Sequence, residues 1–329
     1  MTPVLVERTQ ICDASWNDHI RKSLQCVIYA QTFYLDIVCE NWKALVWPNI
    51  QHPEIVMPLP MRRKFGFTTI YQPLFCQYLG LFTLKPLAEF ELESFIRFLS
   101  KEFSYISAYH FNPENSVRMS AIASAFSDFQ FAKNHTHWLH IRGNYGQVHS
   151  GYSKDRKRNL KRSKALNWCI QKSADINPLI ALFAENQTER IPGGVDPNAF
   201  VRLKTLLGVL NAGGHAEVYY AIFNGQIDAG ILIVEFAGRA IYLFNAADRV
   251  GRSGNARTLM LDQYFRDCNG KMLIFDFESP EVGSIASFYS SFGSTPVSFY
   301  AIRKNELWFP LRHIQNWRKR FFKTIQGLF

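Results

Sequence analysis

The sequence predicts an α+β chain of two domains, and three observations predict it. Its 329 residues are about twice the usual single-domain length, so two domains of roughly 150 residues each are expected. Hydrophobic residues make up 47% and aromatics 15%, with 28 Phe, which is composition enough for a core in each half. The C-terminal half reads as three strands joined by tight turns, then helix, strand, helix and strand. That order builds a largely antiparallel mixed sheet flanked by helices.

In the N-terminal half, helical periodicity runs from Cys12 to Leu24. Strand-like runs follow in CVIYAQTFYLDIV (26–38), KALVWPN (43–49) and EIVMPLPMRRKFG (54–66). IYQPLFCQYLGLF brings Pro73 and Gly80 into an aromatic stretch, and ELESFIRFLSKEFSYI (91–106) spaces its apolar residues as a helix does. HWLHIRGNYGQVHSG ends in Gly and polar residues, which places a boundary near Gly146 to Gly151. The expected domains are 1–148 and 149–305, with a basic tail at 306–329.

Past the boundary, Lys154 to Lys164 reads as a helix, since Arg, Lys, Leu and Ala favour one and nothing breaks it. Helical PLIALFAENQTER (178–190) and AFVRLKTLLGVLNAGG (199–214) precede the strand AEVYYAIF, and Asn224-Gly225 makes the hairpin turn into QIDAGILIVEF. A second turn at Ala237 to Arg239 leads into AIYLFNA. Then come the loop DRVGRSGNA, the helix RTLMLDQYFRDC closed by Gly270, the strand KMLIFDFES, the helix EVGSIASFYSSF closed by Gly293 and a last strand TPVSFYAIRK.

A net charge of +10 and a pI near 9.3 point to anionic partners: nucleic acid, acidic lipid or a phosphorylated small molecule. The charge concentrates in YSKDRKRNLKRSKA (152–165), where Lys154, Arg156, Lys157, Arg158, Lys161, Arg162 and Lys164 face a single acid. So much like charge on one helix implies a phosphate-bearing partner. The opening MTPVLVERTQ lacks the pattern of a secretion signal, and no apolar run approaches the ~20 residues of a membrane span. Six cysteines without a CxxC pair suit reduced thiols, so a cytoplasmic protein is expected. The tail places Leu311, Ile314, Trp317, Phe321 and Ile325 near one side of a basic helix, a pattern that could lie on an anionic membrane surface.

Several groups could carry chemistry. Val250, Gly251, Arg252, Ser253, Gly254, Asn255 and Ala256 follow a strand and open a helix, where free amides and the helix dipole favour a phosphate. Asp276 and Glu278, two apart on a strand, share a face next to apolar rings; one pKa could rise to make a base for an amine. Glu235 and Asp248 are weaker candidates. Tyr289 packs at helical spacing with Ile285, Phe288 and Phe292. His135, His137 and His140 do not share one strand face and have no further ligand nearby, so no metal is expected. Nucleophile-elbow, GK[ST] and dinucleotide motifs are missing, which leaves hydrolase and kinase readings unsupported.

The order of meander, Gly loop opening a helix, strand, helix ending FYSSFG and last strand resembles the GNAT superfamily of acyl-CoA-dependent N-acetyltransferases, over Pro178 to Lys304. The basic helix and the DFES…SFYSSFG ending resemble, more narrowly, the bacterial Fem-type (FemAB-like) peptidyltransferases, built from two GNAT-like domains. The resemblance implies a degenerate GNAT-like fold for residues 1–148 and a second copy in 149–305. It implies transfer of an acyl group from acyl-CoA, such as acetyl-CoA, to an amine by direct attack, with meander amides holding the oxyanion.

Within that resemblance, Gly254 and Ala256 match the last positions of a Q/R-x-x-G-x-G/A loop for the pyrophosphate of coenzyme A, while Gly251 stands where Gln or Arg belongs. Arg249 and Arg252 lie beside that position. Tyr289, four residues before Gly293, matches the tyrosine that assists the leaving thiolate. The basic helix would meet the phosphates of a nucleotide- or lipid-linked cell-wall precursor, or of an aminoacyl-tRNA. Two alternatives follow: a Fem-type aminoacyltransferase using aminoacyl-tRNA, and a non-catalytic anion-binding or membrane-associated scaffold that lost the donor site.

Overall fold

The protein is described by a computed structural model, which covers residues 1–64, 66–187, 196–279 and 282–307. Two compact units divide the chain: Met1–Asn134 together with the strand from Ser298, and His135–Val297.

The first unit contains, in order, β1 (Val4–Glu7), α1 (Asp13–Lys22), α2 (Thr32–Val38), β2 (Asn41–Trp47), β3 (Ile55–Lys64), β4 (Phe67–Ile70), β5 (Phe82–Thr83), α3 (Glu89–Glu102), β6 (Tyr105–His110) and α4 (Pro113–Ile122). Its strands pair antiparallel from β1 to β2 to β3 to β4, and β4 runs parallel to β6 at Ile70↔Ile106. The run 26–38 is not strand as the sequence suggested. It forms a 3-10 turn (Ile28–Ala30) and the helix α2, with Val27, Ile28, Tyr29, Tyr34, Leu35 and Val38 all buried. A continuous apolar run looks the same in a buried strand and a buried helix. Asn17, whose side-chain Oδ1 accepts from the Thr32 amide, holds the start of this helix.

The second unit continues with β7 (Phe129–Arg142, inside this unit from His135), α5 (Tyr145–Ser150), α6 (Lys154–Lys164), β8 (Cys169–Ser173), α7 (Asn177–Gln187), α8 (Pro197–Ala212), β9 (Ala216–Phe223), β10 (Gln226–Phe236), β11 (Arg239–Ala247), α9 (Arg249–Ser253), α10 (Ala256–Asp267), β12 (Met272–Asp276) and α11 (Gly283–Ser290). Strand order is β7-β12-β11-β10-β9-β8. Every pairing is antiparallel except that of β11 with β12. The predicted meander is present, with Asn224 and Gly225 at φ of 50° and 80° in its first turn, the conformation a two-residue hairpin demands. Helix α6 has the predicted bounds. Ser153 caps it by accepting from the Arg156 amide, and Arg156, Leu160 and Ser163 form its buried stripe.

The last strand, β13 (Thr295–Asn305), belongs from Ser298 to the first unit, where it pairs antiparallel with β6 at Ala301↔His110. The compact units thus part at Asn134/His135 and again at Val297/Ser298, while the sequence placed one boundary at 148/149 and kept 295–304 with the C-terminal half. Both units are α+β with mostly antiparallel sheets.

Around α10 and β12 the second unit's core is built of rings. Tyr242, Tyr264, Phe265, Phe275, Phe277, Tyr289 and Phe292 are all buried there, and Phe265 and Phe275 meet edge to face at 5.0 Å. This is where much of the aromatic content concentrates, and it forms the floor of the site described next.

Candidate active site

Strands β11 and β12 pair in parallel at Arg239↔Ile274, Ala240↔Phe275 and Ile241↔Asp276, and the pairing ends there. Beyond it lies a cavity of about 530 Å³, walled by Tyr242, Leu243 and Asn245 of β11, Arg257 of α10, Phe277 and Glu278 after β12, and Ser284, Ile285, Phe288 and Tyr289 of α11, with Phe183 of α7. Against β10, the register jumps from Leu232↔Phe244 to Ile233↔Tyr242. Leu243 is therefore the extra residue of a β-bulge, and a bulge leaves a backbone group out of the ladder. It lies on the cavity wall.

Glu278 enters this cavity in an unusual backbone state. Its φ is 47°, a left-handed conformation uncommon for a residue with a Cβ. The turn is held by the Glu278 amide, which donates to Asp276 Oδ1 at 3.0 Å. The side chain's Oε1 is closed off from solvent and has no hydrogen-bond partner among the described residues. Burial pushes this carboxyl well above the ordinary glutamate range, because an ionised group loses its hydration there.

Asp276 does something different. Its carboxylate is buried and accepts from Thr136 Oγ1 at 2.5 Å, Trp138 Nε1 at 2.9 Å and the Glu278 amide. The sequence expectation that Asp276 and Glu278 share a strand face does not hold, because β12 stops at Asp276 and the left-handed turn re-aims Glu278. Asp276 lies outside the cavity wall and shapes the turn that presents Glu278.

Tyr289 is 6% exposed and stacks on Phe277, ring centroids 4.6 Å apart at 24°. Burial pushes its phenol above the ordinary tyrosine value; Tyr242 and Glu278 add to that, and Arg257 opposes it. The hydroxyl thus stays protonated and suits hydrogen-bond donation to a developing anion better than full proton transfer. Arg257, which the sequence reading did not single out, donates from Nη1 to Asn245 Oδ1 at 2.8 Å. Its charge also acts on Tyr242, whose phenol burial pushes up to about 12.

The Gly loop takes an unexpected form. Residues 249–253 are the short helix α9, capped by Asp248, whose Oδ1 accepts from the Gly251 amide at 2.7 Å. The amides of Arg252, Gly254 and Asn255 reach the carbonyls of Asp248, Val250 and Arg252. These four amides are therefore turned inward. Gly251 is needed for packing, since a Cβ there would be driven into the Asp228 carbonyl, and a Cβ on Gly254 would stand 2.5 Å from Trp168 Cζ2. Asn255, at φ 57°, ends the turn, and Val250, Ser253 and Ala256 make up the rest. Beside α9, burial and then the Asp248 carboxylate push Asp228 up to about 6.

The basic helix splits in two. Lys154, Arg158, Lys161, Arg162 and Lys164 are exposed and Lys157 is half-buried. Arg158 pairs with Asp155 at 3.1 Å and Lys164 reaches Asp262 at 3.7 Å. Arg156 is buried: its guanidinium lies 4.2 Å and 4.5 Å from the ring centres of Phe288 and Phe292 and donates to Ser291 Oγ and Thr258 Oγ1. Burial lowers it to about 10. It fastens α6 to α10 and α11.

Glu235 lies elsewhere, in a cavity of about 290 Å³, bound to Lys271 at 2.9 Å and Tyr264 at 3.2 Å. Among the described residues no cluster of three or more His, Cys, Asp or Glu is placed to hold a metal ion, and no helix is long and apolar enough to cross a membrane. The amphipathic tail from Trp308 onward, with Leu311, Ile314, Trp317, Phe321 and Ile325, lies outside the described residues.

Comparison with known proteins bears on the fold. Residues 151–278 fit the model of the family described as acetyltransferase (GNAT) domain. No curated protein matches the sequence. Among solved structures, FemX superposes with a TM-score of 0.62 at 11% identity, covering 88% of this chain and 96% of that one. A GNAT-family acetyltransferase from Colwellia psychrerythraea gives 0.53 at 10% identity, over 93% and 100%. A tandem GNAT protein from the clavulanic acid biosynthesis pathway gives 0.50 at 10%, over 92% and 97%. Residues 151–278 thus match a GNAT-type acetyltransferase domain, and the chain shares the fold of FemX and of the tandem GNAT protein.

Proposed function

We propose that this N-acyltransferase joins an acyl group to an amine held in the cavity between β11 and α11, with an acyl-CoA as donor. The observation that carries the reading is Glu278: a carboxyl with one buried, unpartnered oxygen on the wall of a cavity that Tyr289 also lines. Its carboxylate takes a proton from the incoming ammonium. The freed lone pair attacks the thioester carbonyl, and an amide of the bulged strand near Leu243 steadies the oxyanion. As the carbon–sulfur bond breaks, the amine's second proton goes to the sulfur, whose developing charge the Tyr289 hydroxyl holds.

Phosphates of the donor fit the backbone amides at the start of α10, those of Ala256 and Arg257, better than the inward-turned amides of α9. A second reading, an aminoacyl-tRNA donor and a cell-wall-precursor acceptor, is favoured by that closed loop and by the exposed cations of α6. Thermal shifts at fixed salt separate the two. Stabilisation by acetyl-CoA supports the first reading; stabilisation by charged tRNA alone, weakening steeply with salt, replaces it with the second.

A further inference from the structure

The cavity carries opposite charges on different walls. Glu278 supplies a carboxyl with a sequestered, unpartnered oxygen, and Arg257 supplies a guanidinium whose hydrogen bond is to the neutral Asn245. Neither group meets an opposite charge among the described residues. Tyr289 lines the same cavity as both of them. Apolar surface from Phe183, Ile285 and Phe288 completes the walls.

A simple alkylamine leaves this guanidinium with no anion, and a simple acyl anion leaves the carboxyl with no cation. Buried or half-buried charges without partners are costly, and a ligand that brings both charges relieves both costs together. The walls offer room and rings for an apolar side chain as well.

We propose that the amine acceptor is an amino acid with a free carboxylate and an apolar side chain, its ammonium received by Glu278 and its carboxylate by Arg257. This rests on the acyltransferase reading above and names its acceptor class. The ammonium gives one proton to Glu278, from which it passes to solvent. The amine nitrogen then forms the amide bond to the acyl carbon, the carbon–sulfur bond breaks, and the second proton leaves with the thiol. The products are an N-acyl amino acid, a free thiol and one proton. The Arg257 guanidinium touches only the acceptor carboxylate and sets specificity, while the donor phosphates meet the backbone amides of Ala256 and Arg257.

Three probes of nearly equal shape test this by calorimetry at pH 8 on the full chain: L-phenylalanine, 2-phenylethylamine without the carboxylate, and 3-phenylpropionate without the amine. L-Phenylalanine is expected to bind the wild type about tenfold or more tighter than either analogue, the worth of one charge-assisted contact. Arg257→Met should remove its advantage over phenylethylamine, and Glu278→Gln its advantage over phenylpropionate. Arg257→Lys, which keeps the charge, should retain part of the binding and guards against a folding defect in the Met variant.

Equal affinity for L-phenylalanine and phenylethylamine, or no binding of any probe, overturns the proposal. Thiol release from acetyl-CoA with a mixed amine pool tells the two failures apart. Transfer to amines lacking a carboxylate sinks the acceptor class and leaves the acyltransferase reading in place. Tight L-phenylalanine binding with no transfer to any amine sinks the acyltransferase reading instead.

Discussion

At Glu278, on the proposed mechanism, one carboxyl both weakens the fold and supplies the base. Its folded-state value is raised by burial, so the penalty for ionising it is absent below the unfolded glutamate value of about 4.3 and grows as pH rises above it. Glu278→Gln should accordingly raise Tm at pH 8, with the gain vanishing near pH 4, in paired thermal melts. The same variant should lower kcat/KM for thiol release by about 10²-fold or more, the usual worth of a general base. Because the base works only when ionised, the wild-type rate should climb with pH through a value above the ordinary glutamate range, and the variant should lose that limb. Tyr289→Phe keeps the stack on Phe277 and removes the hydroxyl, so a rate loss of about tenfold or more without a matching fall in Tm is expected. Spacing in the sequence singled out Tyr289 and Glu278, which the structure places on one cavity. It misjudged Asp276, because period-two reasoning ends where the strand ends, and the left-handed turn at Glu278 leaves no mark in residue type. Arg257 went unnoticed because a lone arginine at a helix start carries no spacing signal.

At the scale of elements, α9 and α6 show how local chemistry redirects a motif. A Gly-containing stretch between strand and helix reads as an open phosphate loop, yet Asp248 caps it into a helix and Gly251 supplies the closeness that β10 requires. Gly251→Ala should cost about 1–3 kcal/mol through this collision, visible as a lower urea midpoint. Donor binding at α10 predicts no separate effect beyond that loss. On α6, charge count alone could not separate Arg156, wedged between Phe288 and Phe292, from its exposed neighbours; the helical stripe of Arg156, Leu160 and Ser163 was the available signal. If the exposed face meets phosphates, reversing Lys154, Arg158 and Lys161 to Glu should weaken tRNA binding and flatten its salt dependence, whereas Arg156→Met should lower Tm. Residues 26–38 were misread for a related reason, since burial on nearly all sides erases the period that distinguishes helix from strand.

For the whole molecule, the α+β class and the order of elements in the C-terminal half were legible from turns, caps and periodicity. The allegiance of β13 was not, because Ala301↔His110 joins residues far apart in sequence and no local feature marks Ser298 as the start of a different unit. The match of residues 151–278 to a GNAT-type domain supports the proposed acyl transfer, and on that proposal the gap past Ile241↔Asp276 is where in the second unit an acyl group and an amine would meet. The central claim is that Glu278, in that gap, activates the amine. Its most direct test is the initial rate of thiol release from acetyl-CoA across pH 5 to 9 with an amine pool containing free amino acids, wild type beside Glu278→Gln. The account predicts amine-dependent release in the wild type, rising with pH through one ionisation, and a variant that folds, melts higher at pH 8 and is nearly inactive. Amine-dependent release of equal rate and equal pH dependence in both proteins would contradict it.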